Sequence, residues 1–151
     1  MQHTARLVWN RTAADHDVKT YSRDHQISFD SGAVVTGSAA NSASQPAGTV
    51  GPNSIDPEEM LVAAAASCHM LFFLALAAKR GLVIDRYDDD AVGVMETKDR
   101  VTAMTRITLR PQITWSGETP AADVVAAIHH ESHARCYIAN SLKTEITVES
   151  R

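Results

Sequence analysis

Hydrophobic residues are most concentrated in residues 60–78, where only Ser67 and His69 are clearly polar. A helix over this stretch is apolar on every side rather than along one stripe, which is typical of a helix in the interior of a protein. Its length also matches the roughly 20 residues that a bilayer requires. However, its alanines contribute little insertion energy, and Ser67 and His69 would lie at the costly bilayer centre. We therefore predict a central core helix and no membrane span.

Signals for both ends of this helix flank the stretch and predict its bounds at residues 56–80. Asp56 is suited to the N-cap, Pro57 to the first helical position, and Glu59 to a capping box with Asp56. The other end is marked by two basic residues and a glycine, Lys79, Arg80 and Gly81.

Segments before the helix alternate hydrophobic and polar residues and predict strands. These three strands are expected at residues 3–10, 25–32 and 34–35. Residues 37–53 consist almost entirely of Gly, Ser, Ala, Asn and Pro with little to bury, so they predict a long loop.

After the helix, the acidic run at residues 88–90 is expected to be a solvated turn. Two strands are predicted at residues 91–98 and 102–115, and a hairpin turn at Asp99 and Arg100 joins them.

The last part of the chain contains a second amphipathic helix. This helix is predicted from Pro120 to Cys136, with Val124 and Ile128 facing inward, and a final strand follows at residues 145–150. The predicted order is three strands, a helix, two strands, a helix and a strand, which indicates an α+β fold in one domain over residues 1–151.

Composition narrows the class of protein. The chain has 151 residues, of which 44% are hydrophobic, enough for one domain with its own core. The formal net charge is −4 and the 14 Lys and Arg residues are scattered, which argues against a nucleic-acid partner. Residues 1–17 lack the apolar segment of a signal peptide, and two cysteines are too few for a secreted disulfide scaffold, so we expect a cytoplasmic protein.

The two cysteines are the first candidates for chemistry. Cys68 lies near the middle of the central helix, and Cys136 ends the second helix. A thiolate is the reactive form of cysteine, and a second cysteine within reach converts a sulfenic acid into a disulfide. Two buried structural cysteines are the alternative, and their spacing leaves both interpretations open.

Metal binding is the second candidate. His129 and His133 are one helical turn apart and Cys136 follows, so Cys68 and His69 would complete a zinc site of mixed ligands. This non-enzymatic, metal-binding interpretation uses Cys68, His69, His133 and Cys136. A solvated histidine face is the alternative.

Two motifs resemble the OsmC/Ohr family of thiol-dependent hydroperoxide reductases. They are PEEMLVAAAASC, in which Glu58 stands ten residues before Cys68, and CYIANSL, which contains Cys136. The resemblance implies an α+β fold with antiparallel sheets around two long central helices. It further implies an intertwined homodimer with active sites at the subunit interface, and no cofactor.

The resemblance also implies roles for individual residues. Cys68 matches the peroxidatic cysteine, Cys136 the resolving cysteine, and Glu58 the glutamate that pairs with an arginine near the thiolate. Arg23 is the best match for that arginine, and Arg11 is the second choice. The implied substrate is an organic hydroperoxide, and the implied reductant is an external dithiol of the lipoyl or thioredoxin type.

Glu58 carries a geometric constraint of its own. Ten residues of continuous helix at about 1.5 Å each would hold Glu58 roughly 15 Å from Cys68 of the same chain. We therefore expect either a broken helix or a Glu58 that acts across the dimer interface. Four apolar residues of the central helix are expected either to line a route for a lipid-like substrate or to belong to the core: Met60, Leu61, Met70 and Phe72.

The sequence departs from the family pattern beside both cysteines. His69 follows Cys68 where Phe is common, and Tyr137 follows Cys136 where Pro is common. The resemblance therefore implies a divergent branch of the family.

Overall fold

The computed structural model of the protein describes residues 1–40 and 45–149. The chain divides into two compact units, Met1–Met60 and Leu61–Arg151. The first unit contains an antiparallel sheet of three strands in the order β1-β2-β3. The strands are β1 (Ala5–Val8), β2 (His25–Phe29) and β3 (Val34–Gly37). All three predicted strands are therefore confirmed, although β1 and β2 are shorter than predicted and β3 is longer.

The predicted loop at residues 37–53 lies partly outside the described residues, because residues 41–44 are not among them. Asp24 connects the two described parts of this loop. Its Oδ1 accepts hydrogen bonds from the Ser38 hydroxyl at 2.7 Å and from the Gly51 N–H at 2.9 Å.

The central helix, α1, covers Pro57–Lys79 without a break. The predicted capping box is confirmed, because the Glu59 N–H donates to Asp56 Oδ1 at 2.7 Å and the Asp56 N–H donates to Glu59 Oε2 at 3.2 Å. Gly81 ends the helix with a φ of 70°, and the Leu82 N–H donates to the Ala77 carbonyl, which is a Schellman motif. Of the two alternatives expected for Glu58, the broken helix is thus excluded.

The second unit contains the remaining strands and helices described. They are β4 (Ile84–Asp89), β5 (Val92–Lys98), β6 (Val101–Leu109), β7 (Pro111–Trp115), α2 (Ala122–Arg135), a short 3₁₀ helix (Ala139–Ser141) and β8 (Glu145–Val148). β4 pairs with β7 in one sheet, and a second sheet has the order β5-β6-β8. All strand pairs are antiparallel except β6 with β8, which is parallel. The α+β fold class is therefore confirmed.

Two of the predictions for the strands of this unit are wrong. Asp88 and Asp89 belong to β4 rather than to a solvated turn. The single strand predicted at residues 102–115 is two strands in different sheets, separated at Arg110, and the second strand begins with Pro111. Proline has no N–H for a strand ladder, and the Arg110 N–H donates to Asp89 Oδ1 at 2.6 Å instead.

The hairpin between β5 and β6 agrees with the prediction. Asp99 and Arg100 both have positive φ angles, 51° and 64°, as a two-residue type I′ turn requires. The last predicted strand ends at Val148, and its residue Ser150 lies outside the described residues.

The core of the second unit consists of two clusters, both of which include α1. One contains Phe73, Leu76, Ala77 and Ile128, and the other contains Ala65, Ile107 and Leu109. The predicted burial of Ile128 is confirmed, but Val124 is exposed and Val125 packs on the first cluster in its place.

One face of α1 is exposed within the chain. We call it the α1 stripe, and it consists of Ala63, Ser67, Leu71, Ala75 and Ala78. These positions recur every three or four residues, so they share a side of the helix. With a mean hydropathy of 2.1, α1 is also long and apolar enough to cross a membrane by length and composition alone. The prediction of a helix buried on every side is therefore not met within one chain.

Candidate active site

The side chains of Cys68 and Cys136 lie beside each other, close enough for Cys68 to raise the pKa of the Cys136 thiol. Cys68 is half-buried on α1, whereas Cys136, directly after α2, is only 1% exposed. The helix ends there because Cys136 takes an extended conformation, and the Ala139 N–H donates to its Sγ at 3.4 Å. Both residues are free thiols. The fold thus brings together the two cysteines that sequence spacing alone left unconnected.

The environment of Cys136 differs from that of Cys68. Burial raises the pKa of the Cys136 thiol, and the neighbouring Cys68 side chain raises it further, while backbone N–H groups of Ala139 and Ile138 act in the opposite direction. Cys136 is therefore held in the protonated form and is shielded from solvent. Cys68 is the more accessible thiol of the pair.

An apolar pocket of about 450 Å³ opens at Cys68. We call it the Cys68 pocket, and it is lined by Ala64, Ser67, Cys68, Leu71, Phe72, Ala75, Tyr137 and Ile138. The Phe72 and Tyr137 rings meet edge to face with centroids 5.2 Å apart. Phe72, which was expected either to line a substrate route or to belong to the core, lines this pocket. Leu61 belongs to the core, because it packs on the cluster that contains Ala65. Met60 and Met70 are not lining residues of this pocket.

Arg23 is held by its own loop in the first unit. Its Nη2 donates to the Val18 carbonyl at 3.0 Å, its Nη1 donates to the Tyr21 carbonyl at 3.3 Å, and its guanidinium lies 4.4 Å from the centroid of the Tyr21 ring. Arg11 donates to the carbonyls of Ala13 and Ala14.

Glu58 lies in the first turn of α1 and is half-buried. Within the described part of the chain it forms no ion pair with Arg23. The pairing of Glu58 with an arginine therefore stays a prediction, and so do the roles of Arg23 and Arg11.

His69 does not join a group of metal ligands. Among residues 1–40 and 45–149, no three or more His, Cys, Asp or Glu side chains are arranged to hold a metal ion. Instead, His69 Nε2 lies 3.0 Å from His129 Nδ1, and the two rings are stacked with an interplanar angle of 12°. The sequence patterns did not predict this pair. One feature of the sequence did point to such a pair. His69 lies within an apolar helix, and a buried polar group requires a hydrogen-bond partner.

Burial also sets the charge of this histidine pair. It lowers the pKa of His69 from 6.5 to about 4, with smaller contributions from the charges of His129 and His133. It lowers the pKa of His129 to about 4 as well. Both rings are therefore neutral at neutral pH.

Comparison with known proteins gives the family of the chain. The family of OsmC-like proteins matches residues 50–151. The OsmC-like protein VCA0330 of Vibrio cholerae, whose function is unknown, is 37% identical, with a TM-score of 0.93 over 100% of this chain and 99% of that protein. No curated protein matches the chain.

Two more distant structures share the fold. The organic hydroperoxide resistance protein OhrB of Bacillus subtilis is 14% identical, with a TM-score of 0.70 over 100% of this chain and 98% of its own. The organic hydroperoxide resistance protein OsmC of Legionella pneumophila is also 14% identical, with a TM-score of 0.67 over 99% and 95%. The family match covers most of the chain, and the Vibrio protein covers all of it. The chain therefore belongs to the OsmC-like family.

Proposed function

We propose that the protein is a thiol-dependent peroxidase that reduces organic hydroperoxides. The observation that carries the proposal is the pair of neighbouring free thiols, of which Cys68 opens to an apolar pocket and Cys136 is buried. The names of the Bacillus and Legionella proteins, which have the same fold, support the same substrate class.

The chemistry assigns a separate role to each thiol. The Cys68 thiolate attacks the distal oxygen of the hydroperoxide, the O–O bond breaks, and the alcohol leaves after it takes up a proton. Cys68 is then a sulfenic acid. The Cys136 sulfur attacks the Cys68 sulfur, a water molecule leaves, and a disulfide forms. An external dithiol returns two electrons by thiol–disulfide exchange and becomes a disulfide itself.

The Cys68 pocket favours an organic substrate over hydrogen peroxide. Its lining is almost entirely hydrocarbon, with Leu71, Phe72 and Tyr137 as the large side chains. Burial of an alkyl or aryl group there contributes roughly 25 cal/mol for each Å² of apolar surface. Hydrogen peroxide has no such group, so we expect it to be the poorer substrate.

The active form in this proposal is a homodimer. The α1 stripe is apolar and mostly made of small residues, which lets a second helix approach closely, and Leu71 in its centre is 60% exposed. Because α1 is continuous, Glu58 remains roughly 15 Å along the helix from Cys68 of its own chain. In this proposal Glu58 and Arg23 act at the cysteines of the partner subunit. The Arg23 guanidinium stabilises the Cys68 thiolate there, and Glu58 holds the guanidinium in place. We place the enzyme in the reducing cytoplasm, which keeps both thiols available.

The experiment that tests the proposal is dithiol-dependent consumption of cumene hydroperoxide, compared with hydrogen peroxide. Dihydrolipoamide and reduced thioredoxin are supplied in separate assays to identify the reductant. We expect turnover that favours cumene hydroperoxide and disappears in Cys68→Ser.

The variant Cys136→Ser separates the two thiols. Without dithiol, it should release one equivalent of cumyl alcohol per subunit as Cys68 becomes a sulfenic acid. A second molecule of cumene hydroperoxide should then oxidise this sulfenic acid to a sulfinic acid, with release of a second cumyl alcohol, and mass spectrometry detects the sulfinic acid. Absence of turnover with both reductants in the folded, fully reduced wild-type protein would refute the peroxidase proposal. Activity that persists in Cys68→Ser would refute the assignment of the attacking thiol.

A further inference from the structure

A second pocket, of about 630 Å³, lies between β7 and α2 in the second unit. It is lined by Pro111, Ile113, Thr114, Trp115, Thr119, Pro120, Ala122, Val125, Ala126 and His129. We call it the His129 pocket. It shares no lining residue with the Cys68 pocket, and the proposed peroxidase mechanism makes no use of it.

His129 is the one ionisable residue in this lining, and it is only 6% exposed. Its Nδ1 is paired with His69 Nε2 at 3.0 Å, and the Phe73 ring lies against it with centroids 4.3 Å apart. Its Nε2 is buried and has no hydrogen-bond partner among the described residues. Buried polar atoms in native proteins almost always have a partner, so an unpartnered atom on a residue that lines a pocket indicates a missing ligand or water.

The histidine pair determines what His129 Nε2 offers to a ligand. A neutral imidazole has one N–H donor and one acceptor nitrogen, and one hydrogen lies between His69 Nε2 and His129 Nδ1. If His69 donates that hydrogen, His129 Nε2 carries the other one and is a donor. If His129 donates it, Nε2 is an acceptor. A hydroxyl group, which both donates and accepts, fits either arrangement.

The other lining residues determine which chemical class of ligand fits the pocket. Trp115, Pro120 and Val125 present apolar and aromatic surface, and aromatic rings favour stacked or edge-to-face contact with an indole. The neutral histidine does not attract an anion by charge. We propose that the His129 pocket binds a neutral aromatic molecule with a hydroxyl group, whose ring lies against Trp115 and whose hydroxyl hydrogen bonds to His129 Nε2.

The test is ligand-observed ¹⁹F NMR with the full chain and two matched probes. The first probe, 4-fluorophenol, has the hydroxyl, and the second, 4-fluorotoluene, has a methyl group in its place. We expect saturable binding of 4-fluorophenol and at least about fivefold weaker binding of 4-fluorotoluene, because the latter leaves His129 Nε2 unpaired. Equal affinity for the two probes would overturn the proposal. Absence of saturable 4-fluorophenol binding would also overturn it, since the pocket then holds only water.

Three variants locate the site. His129→Phe keeps a ring of similar size and should remove the preference for the phenol, whereas Ala126→Trp fills the pocket from α2 and should abolish binding of both probes. Cys68→Ser should bind both probes as the wild type does. If Ala126→Trp binds 4-fluorophenol normally, or if Cys68→Ser loses that binding, the site is elsewhere and the proposal is wrong. None of these outcomes depends on peroxidase activity, so the two proposals fail separately.

Discussion

The side chain of Cys68 on α1 lies beside that of Cys136 at the end of α2, although the two residues are far apart in sequence. The half-buried position of Cys68 and the full burial of Cys136 separate an accessible thiol from a shielded one. This asymmetry fits a peroxidase in which the first thiol meets the substrate and the second thiol waits for the sulfenic acid.

The first prediction concerns the order of alkylation. In the reduced protein at pH 8, iodoacetamide should modify Cys68 at least about tenfold faster than Cys136, because the pKa of Cys136 is raised and its sulfur is buried. Peptide mapping of timed samples by mass spectrometry measures both rates. Cys68→Ser provides the control, and its Cys136 should remain slow. Equal rates at the two cysteines in the wild type would contradict the assigned roles.

The second prediction concerns the α1 stripe. Leu71→Glu should convert the proposed dimer to a monomer of about the 16.3 kDa chain mass, because it places a charge in the middle of an apolar interface. Light scattering coupled to size-exclusion chromatography measures the mass. Val101→Glu is the matched control, since Val101 is similarly exposed but lies outside the stripe, and it should remain dimeric. A monomeric wild type, or a dimeric Leu71→Glu, would rule out the proposed interface.

The third prediction concerns stability at mildly acidic pH. The pKa of His69 and that of His129 are both about 4 in the folded protein, compared with 6.5 when unfolded. Above pH 6.5 both residues are neutral in both states, so they add no pH dependence. Between pH 6.5 and 4 the unfolded chain binds protons that the folded protein does not, and the free energy of unfolding should fall by roughly a few kcal/mol in total.

Urea denaturation at pH 7.5, 6.5, 5.5 and 4.5 measures this loss. His129→Phe removes one of the two histidines, so its free energy of unfolding should fall clearly less over the same pH range. The carboxylates contribute equally to the pH dependence of the wild type and of the variant. An identical pH dependence in the wild type and the variant would show that the pair is not held neutral by the fold.

The fourth prediction concerns the contact between β5 and α1. A Cβ at Gly93 would lie 2.6 Å from Val62 Cγ2 and 2.9 Å from Met104 Cε, so Gly93→Ala should lower the free energy of unfolding by about 1–3 kcal/mol. The double variant Gly93→Ala with Val62→Ala removes the closest atom and should be less destabilised than the two single variants combined. Urea denaturation of the four proteins measures this coupling, and strict additivity would argue against the close packing.

Local signals made part of the fold predictable. The bounds of α1 follow from Asp56, Glu59 and Gly81, and the β5–β6 turn follows from Asp99 and Arg100. Each of these features depends on hydrogen bonds or backbone angles within a few residues, so the sequence contains all the information that they require.

Other features depend on partners that are distant in sequence. The parallel pairing of β6 with β8, the inward position of Val125 and the His69–His129 contact all join segments that no local pattern connects. For the same reason, the sequence suggested His69 as a metal ligand beside Cys68, whereas the structure pairs it with a histidine of α2.

By itself, the sequence determined the α+β class, the extent of the central helix and, through two motifs, the family and the two cysteines to consider. Only the tertiary structure decided that these two cysteines meet, that one of them is buried, and that a second pocket lies at His129. The physical reason is that capping and turn formation act over a few residues, whereas burial and side-chain pairing depend on how α1, α2 and the strands pack together.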